Sequence, residues 1–309
     1  MLTHQIQLLL SASNLVFARA RQGKRIPNAL GAVVVLALLI LVSFVAVVIG
    51  VLVVTGDPKQ VDVFMDGVYV LIIPFILLTI LTLLWVRYFE KRPPSTLGLS
   101  RTGALFSYLR GFVLGLLFMG LVVGAMAVGG GVSTQTGGTL AGGHAVSGMV
   151  LIYLLAYIIQ GGSEEVLIRG WFMQVIGARY RPWIGVLVAS VLFCGFHLTP
   201  NPIAIVNLFL FALFLSFFYL REGSIWGICG WHSAWNWAMG NVFGLPVSGH
   251  EPTGGILFDL QPTGHTLLTG GDYGPEASLV TTVVFLAGIV VAVMTVRKGR
   301  KGTVQKVDR

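Results

Sequence analysis

Charge is scarce in this sequence: only 10% of its 309 residues are Asp, Glu, Lys or Arg, against 55% that are hydrophobic. Apolar runs this long cannot be solvated and must face lipid or one another, which excludes an ordinary soluble domain. Acidic residues are scarcer than basic ones, 12 against 20, for a net charge of +8. The basic residues sit between apolar runs and form no single patch, so no nucleic-acid partner is expected. There are two cysteines. Cys194 and Cys229 both fall inside apolar runs, where a thiol acts as a small hydrophobe, and no disulfide is expected between them. The runs are continuous, so the short alternating strands of a membrane β-barrel are missing. Familiar protease signatures are missing too. No HExxH motif occurs, and the His250-Glu251 pair lacks its second His. Ser163 has no serine-hydrolase elbow around it, and Asp272 has no second intramembrane Asp to pair with.

What is present is a series of apolar runs near 29–54, 63–86, 106–128, 147–178, 183–199, 202–220, 223–244 and 278–296. A span needs roughly 20 apolar residues, so the expected fold is all-α, a polytopic transmembrane bundle of about eight spans. Ahead of it, residues 1–28 carry Leu8, Leu9, Leu10, Val16 and Phe17 and end in Arg19, Arg21, Lys24 and Arg25. That order reads as an interfacial cytoplasmic lead-in, not a cleaved signal. The basic residues Arg87, Lys91, Arg92, Arg101, Arg110, Arg179, Arg181, Arg221, Arg297, Lys298, Arg300, Lys301, Lys306 and Arg309 fall on the lead-in's side if the number of spans is even. The other side receives Asp57, Lys59, Asp62, an uncharged Gly-rich stretch at 129–145 and an acidic loop with Glu251, Asp259, Asp272 and Glu276. Both termini are therefore expected in the cytoplasm. The chain divides into the lead-in, three N-terminal spans (29–146), a polar-cored region (147–245), the acidic loop (246–277) and a last span with a basic tail (278–309). No internal repeat is evident.

The run at 147–178 is too long for a simple rod, since 32 residues at helical rise extend about 48 Å. Gly161 and Gly162 predict a break, with Ser163 capping a second helix from Glu164. In the third span Gly111, Gly115, Gly120 and Gly124 form two GxxxG spacings, which predict close helix packing. His4, His144, His250 and His265 fall in loops or the lead-in and read as solvated.

Ionisable groups inside spans are costly and mark functional sites by default. Here they are Glu164, Glu165, Arg169, His197 and His232, joined by Asn236. At 1.5 Å per residue Glu164, His197, His232 and Asn236 fall at one depth. Glu165 and Arg169, spaced i to i+4, pair on one helix face and leave Glu164 free, rotated about 100° from its neighbour. His232 and Asn236 project together, and Phe193 stands one turn before His197. Polar packing between helices is the plainer reading, but so many groups at one depth exceed what packing requires. The chemistry they offer is water activation. Glu164 with His197 can deprotonate a water while His232 and Asn236 donate to an oxyanion. Equally, Glu164, His197 and His232 can hold a zinc ion with one open position. The other class of protein open to the same residues is a non-enzymatic scaffold or immunity factor, or a proton-coupled transporter.

Glu164-Glu165-Val166-Leu167-Ile168-Arg169 resembles an EExxxR motif, Phe193-Cys194-Gly195-Phe196-His197 resembles FxxxH, and His232-Ser233-Ala234-Trp235-Asn236 resembles HxxxN. In that order the three resemble the CPBP family, the type 2 CAAX prenyl proteases and bacteriocin-processing enzymes also called the Abi family. The resemblance covers about residues 147–245 and implies an intramembrane endopeptidase of roughly eight helices. It implies that Glu164 activates water with His197, that His232 and Asn236 stabilise the oxyanion, and that Glu165 and Arg169 shape the site. It leaves the metal open. The implied partners are membrane lipid and a prenylated CAAX-type or bacteriocin-like peptide arriving from the bilayer, and the lack of organelle-targeting signals points to a prokaryotic plasma membrane.

Overall fold

The computed structural model describes residues 2–134 and 144–295, the side chains of 144–147 excepted. Most of the Gly-rich stretch, the His144 side chain and the basic tail from Arg297 to Arg309 lie outside the described residues. Two short helices lead in, α1 (Leu2–Leu9) and α2 (Leu15–Ala20). They are followed by α3 (Ala29–Thr55), α4 (Lys59–Asp66), α5 (Val68–Phe89), α6 (Ala104–Val128), α7 (144–179), α8 (Pro182–Phe196), α9 (Pro202–Glu222) and α10 (226–242). A four-residue helix α11 (Thr266–Thr269) precedes the last apolar helix, α12 (Leu279–Met294). A small ribbon pairs β1 (Val132–Thr134) antiparallel with β2 (Leu260–Pro262) and ties the end of α6 to the acidic loop.

Each of the eight apolar runs is helical. Five helices, α3, α5, α6, the Gly148–Arg179 part of α7, and α9, are long and apolar enough to cross a membrane, while α8 and α12 are shorter apolar helices. Together they make a multi-pass membrane protein. Helix ends follow local chemistry. Asn28 and Asn201 cap α3 and α9 by accepting from Gly31 N and Ile203 N, and Gly56 and Gly223 end the same helices in the left-handed conformation open to glycine.

The structure departs from the sequence reading in four places. The α7 helix does not break at Gly161-Gly162-Ser163. A Cβ at Gly161 would lie 3.2 Å from Ser233 N and 3.3 Å from the His232 ring, so this glycine serves close approach to α10. Ser163 caps nothing and donates from Oγ to the Phe75 carbonyl at 2.8 Å. The irregularity falls further on, as a π-helical stretch at Val166–Met173. The second run is divided, because extended Gly67 separates α4 from α5. The helix read as 183–199 ends at Phe196, and His197 is its C-cap, followed by Leu198 in the left-handed region and Pro200. Of the two GxxxG pairs only the first packs: a Cβ at Gly111 would lie 1.8 Å from the Gly227 carbonyl and one at Gly115 2.4 Å from the Trp231 carbonyl, while Gly120 and Gly124 face open space.

Two further contacts hold the site helices at their Arg179 end. Phe17 of α2 is fully buried against Gly177, and Arg19 donates to the Gly223 carbonyl. Between α5, α7 and α9 lies a buried polar knot. Arg92 Nε donates to Glu90 at 2.6 Å and its Nη1 to Gln174 Oε1 at 3.0 Å. Gln174 Nε2 donates to Tyr219 Oη at 2.7 Å, and Trp171 Nε1 donates to Glu90 at 2.6 Å. Each of these side chains finds a partner in a place that water does not reach, with Arg92 Nη2 the one atom of the knot left without one.

The α6–α10 contact yields a prediction. Gly111→Val forces the two backbones apart and lowers the melting temperature in detergent, at an overpacking cost of about 1–3 kcal/mol or more. Gly120→Val leaves it unchanged, and differential scanning fluorimetry of both variants checks the contrast.

Candidate active site

Three helices and one helix end meet around a cavity of about 800 Å³. From α7 come Gln160 and Glu164, from α10 His232 and Asn236, from α8 Phe193, and from its C-cap His197; all six line the cavity. Glu165 does not. The neighbouring glutamates are turned apart as their position on a helix requires, so one faces the cavity and the other faces the protein.

Glu165 is fully buried and sits between two partners. Its Oε1 accepts from Arg169 Nη1 at 2.8 Å and meets His232 Nδ1 at 2.8 Å. With Nδ1–H directed at the carboxylate, the other ring nitrogen of His232 is turned to the cavity. There Nε2 lies 3.9 Å from Glu164 Oε2, too far for a direct hydrogen bond and near enough to act on a common small group. The Arg169 guanidinium lies over the Phe193 ring at 4.3 Å, and Phe193 in turn stands 4.9 Å from the His197 ring and 6.3 Å from that of His232. Phe193 thus carries the cation on its ring beside the His197 imidazole, while Arg169 and His232 meet at the same Glu165 oxygen.

Glu164 is held by a residue that no charge pattern picks out. Gln160 Nε2 donates to Glu164 Oε1 at 2.6 Å, and Gln160 Oε1 accepts from Asn236 Nδ2 at 3.1 Å. The chain Asn236–Gln160–Glu164 leaves one Asn236 amide hydrogen and Glu164 Oε2 available to the cavity. Gln160, one turn before Glu164, was legible as a helix neighbour at i−4 but not as a member of the site.

His197 shares the cavity without contacting Glu164. Its Nδ1 is bonded to the Phe193 carbonyl at 2.9 Å, which leaves Nε2 free. Among the described residues no three His, Cys, Asp or Glu side chains gather as a metal-binding set. The trio Glu164, His197 and His232 therefore does not fit a zinc ion in this arrangement. A second residue missed as a site member in the sequence, Glu276, accepts from Trp235 Nε1 at 3.0 Å and from Ser248 N and Oγ at 3.0 and 2.7 Å. It ties the loop over the cavity to α10 one residue from Asn236.

Residues 146–238 match the family model described as type II CAAX prenyl endopeptidase, Rce1-like. This segment is Rce1-like, consistent with the CPBP family. The match takes in Gln160, Glu164, Glu165, Arg169, Phe193, His197, His232 and Asn236. The Rce1-like family suggests an intramembrane endopeptidase, a hydrolase of the CAAX type. No curated protein and no solved structure matches the chain.

The ion pair beneath this cavity should be unforgiving. Arg169→Met leaves Glu165 charged and buried beside His232 alone, a loss of about 3–5 kcal/mol. Equilibrium unfolding in detergent checks it, and adding Glu165→Gln to the same chain recovers part of that loss.

Proposed function

We propose that the chain is an intramembrane endopeptidase that hydrolyses a peptide bond with a water activated by Glu164 and His197. The observation that carries this reading is the cavity at which Glu164, His197, His232 and Asn236 meet, with Gln160 orienting Glu164 and Asn236, Glu165 orienting His232 and the Phe193 carbonyl holding His197. Glu164 takes a proton from the water as its oxygen bonds to the scissile carbonyl carbon, while His197 Nε2 orients the water. The carbonyl oxygen becomes an oxyanion that receives hydrogen bonds from Asn236 Nδ2 and from His232 Nε2 when the ring carries both protons. Collapse of the tetrahedral intermediate breaks the C–N bond, and the proton held by Glu164 passes to the leaving nitrogen. The products are a carboxylic acid and an amine, which leave as carboxylate and ammonium once the acid's proton passes to the amine.

Around that chemistry we place about eight spans with both termini cytoplasmic, in a prokaryotic plasma membrane. Residues 147–245 are the catalytic core, 29–146 and 278–309 are flanking spans, and 246–277 is a non-cytoplasmic loop. The substrate is a membrane-associated peptide, of the prenylated CAAX or the bacteriocin-like kind. Apolar side chains of α3 and α5, Ile40, Phe44, Phe75 and Leu78, wall the cavity on one side and suit such a substrate.

Purified protein in detergent or nanodiscs, offered a membrane-peptide library together with a prenylated CAAX peptide, tests the reading. The expected result is cleavage that Glu164→Ala or His197→Ala lowers by about 10²–10⁴-fold without unfolding the chain. A chelator leaves the rate unchanged. Gln160→Ala, which frees the Glu164 carboxylate to wander, lowers turnover by up to about 10²-fold. Cleavage that survives Glu164→Ala would sink the proposal.

A further inference from the structure

The cavity has two unlike ends. Along α7, Gln174 lies ten residues from Glu164 toward Arg179, about 15 Å at helical rise. At that end the knot of Glu90, Arg92, Gln174 and Tyr219 is fully buried, so the protein is closed between the site and the basic loops. In the other direction the cavity wall continues along one face of α7 through Gln160, Tyr157 and Tyr153, about 16 Å from Glu164 to Tyr153. There the lining residues reach the surface: Asp66, His250, Glu251 and Thr253 all line the cavity and all are exposed.

Charge tells which face this is. The sealed end is bordered by the loops of Arg87, Lys91, Arg101, Arg179, Arg181 and Arg221. The open end is bordered by segments carrying Asp57, Asp62, Asp66, Glu251, Asp259 and Asp272, with Lys59 the sole basic residue among them. Basic loops stay in the cytoplasm. The lining adds a chemical preference: among its described residues are the carboxylates of Asp66, Glu164, Glu251 and Glu276 and no Lys or Arg.

We infer that the site opens to the non-cytoplasmic face and takes an exported peptide from there, one with an apolar stretch and uncharged or cationic flanks. The inference rests on reading this cavity as the protease site. A peptide whose free C-terminal carboxylate sits close to the scissile bond meets carboxylates and no fixed cation, so an internal bond is favoured over removal of a short anionic tail. The loop that carries the open end is held over α10 by Glu276, which makes the 247–253 segment a fixed rim of the cavity rather than a loose strand.

Cysteine accessibility tests this without reading cleavage. In the full chain with Cys194→Ser, the buried Cys229 is left in place and single cysteines replace Thr253 at the rim, Tyr157 or Leu71 on the wall, or Arg101 on the basic face. Sealed bacterial spheroplasts receive a charged, membrane-impermeant methanethiosulfonate. The expected result is labelling of Thr253→Cys and of the wall positions from outside, with Arg101→Cys unlabelled until the membrane is permeabilised. Leu71→Cys keeps the wall test alive if Tyr157→Cys fails to fold. Labelling of Arg101→Cys from outside, or of the wall cysteines only after permeabilisation, overturns the inference. If labelling runs as expected and the purified protein cleaves nothing, the protease reading fails and the outward opening stands.

Discussion

A carboxylate buried inside an apolar bundle is the constraint on which the rest of the structure depends. Glu165 is inaccessible to water, and removing one partner of such a buried ion pair costs several kcal/mol. Arg169 neutralises it from the next turn of its own helix, and His232 reaches it from α10. Pairing Glu165 through Oε1 therefore ties α7 to α10 and sets the ring orientation of His232. The small residues where these helices and α6 meet, Gly161 against His232 and Gly111 and Gly115 against α10, follow from the same demand for close approach. Glu164 inherits its place: once Glu165 points inward, its neighbour on the helix must face the cavity.

Much of this was legible because lipid makes polar residues conspicuous. Glu164, Glu165, Arg169, His197, His232 and Asn236 stood out against apolar runs, and the i to i+4 spacing of Glu165 and Arg169 foretold their pairing. The eight apolar runs foretold the helices. Uncharged or loop-borne partners were not legible in the same way. Gln160 carries no charge and sits in an ordinary helical position, and Glu276 lies in an acidic loop where a solvated side chain is the natural reading. Gly161-Gly162-Ser163 carries the signal of a helix break, yet the same lack of a Cβ serves close packing, and only the neighbouring helix decides between the two. The early end of α8, which leaves His197 at a cap, is written in Leu198 and Pro200 only after the backbone is seen.

Burial also divides the labour between the two ends of the molecule. Toward the basic loops, Glu90, Arg92, Gln174, Trp171 and Tyr219 spend most of their hydrogen-bonding capacity on one another and make a dry floor. Toward the acidic loops, polar side chains line open space and keep capacity to spare. A site that must admit both water and a peptide needs that asymmetry, since a polar group satisfied by its neighbours has nothing left for a substrate.

The most direct test of this account is a side-by-side comparison of Glu164→Gln and Glu165→Gln, reading thermal unfolding and peptide cleavage on the same preparations. The account predicts that Glu164→Gln melts with the parent chain and is inactive, because its amide keeps the contact with Gln160 and loses only the basic oxygen. It predicts that Glu165→Gln loses stability first, because Arg169 is left charged in an apolar interior. Equal stability for both with activity lost only in Glu165→Gln would contradict it, and would exchange the roles of the two carboxylates.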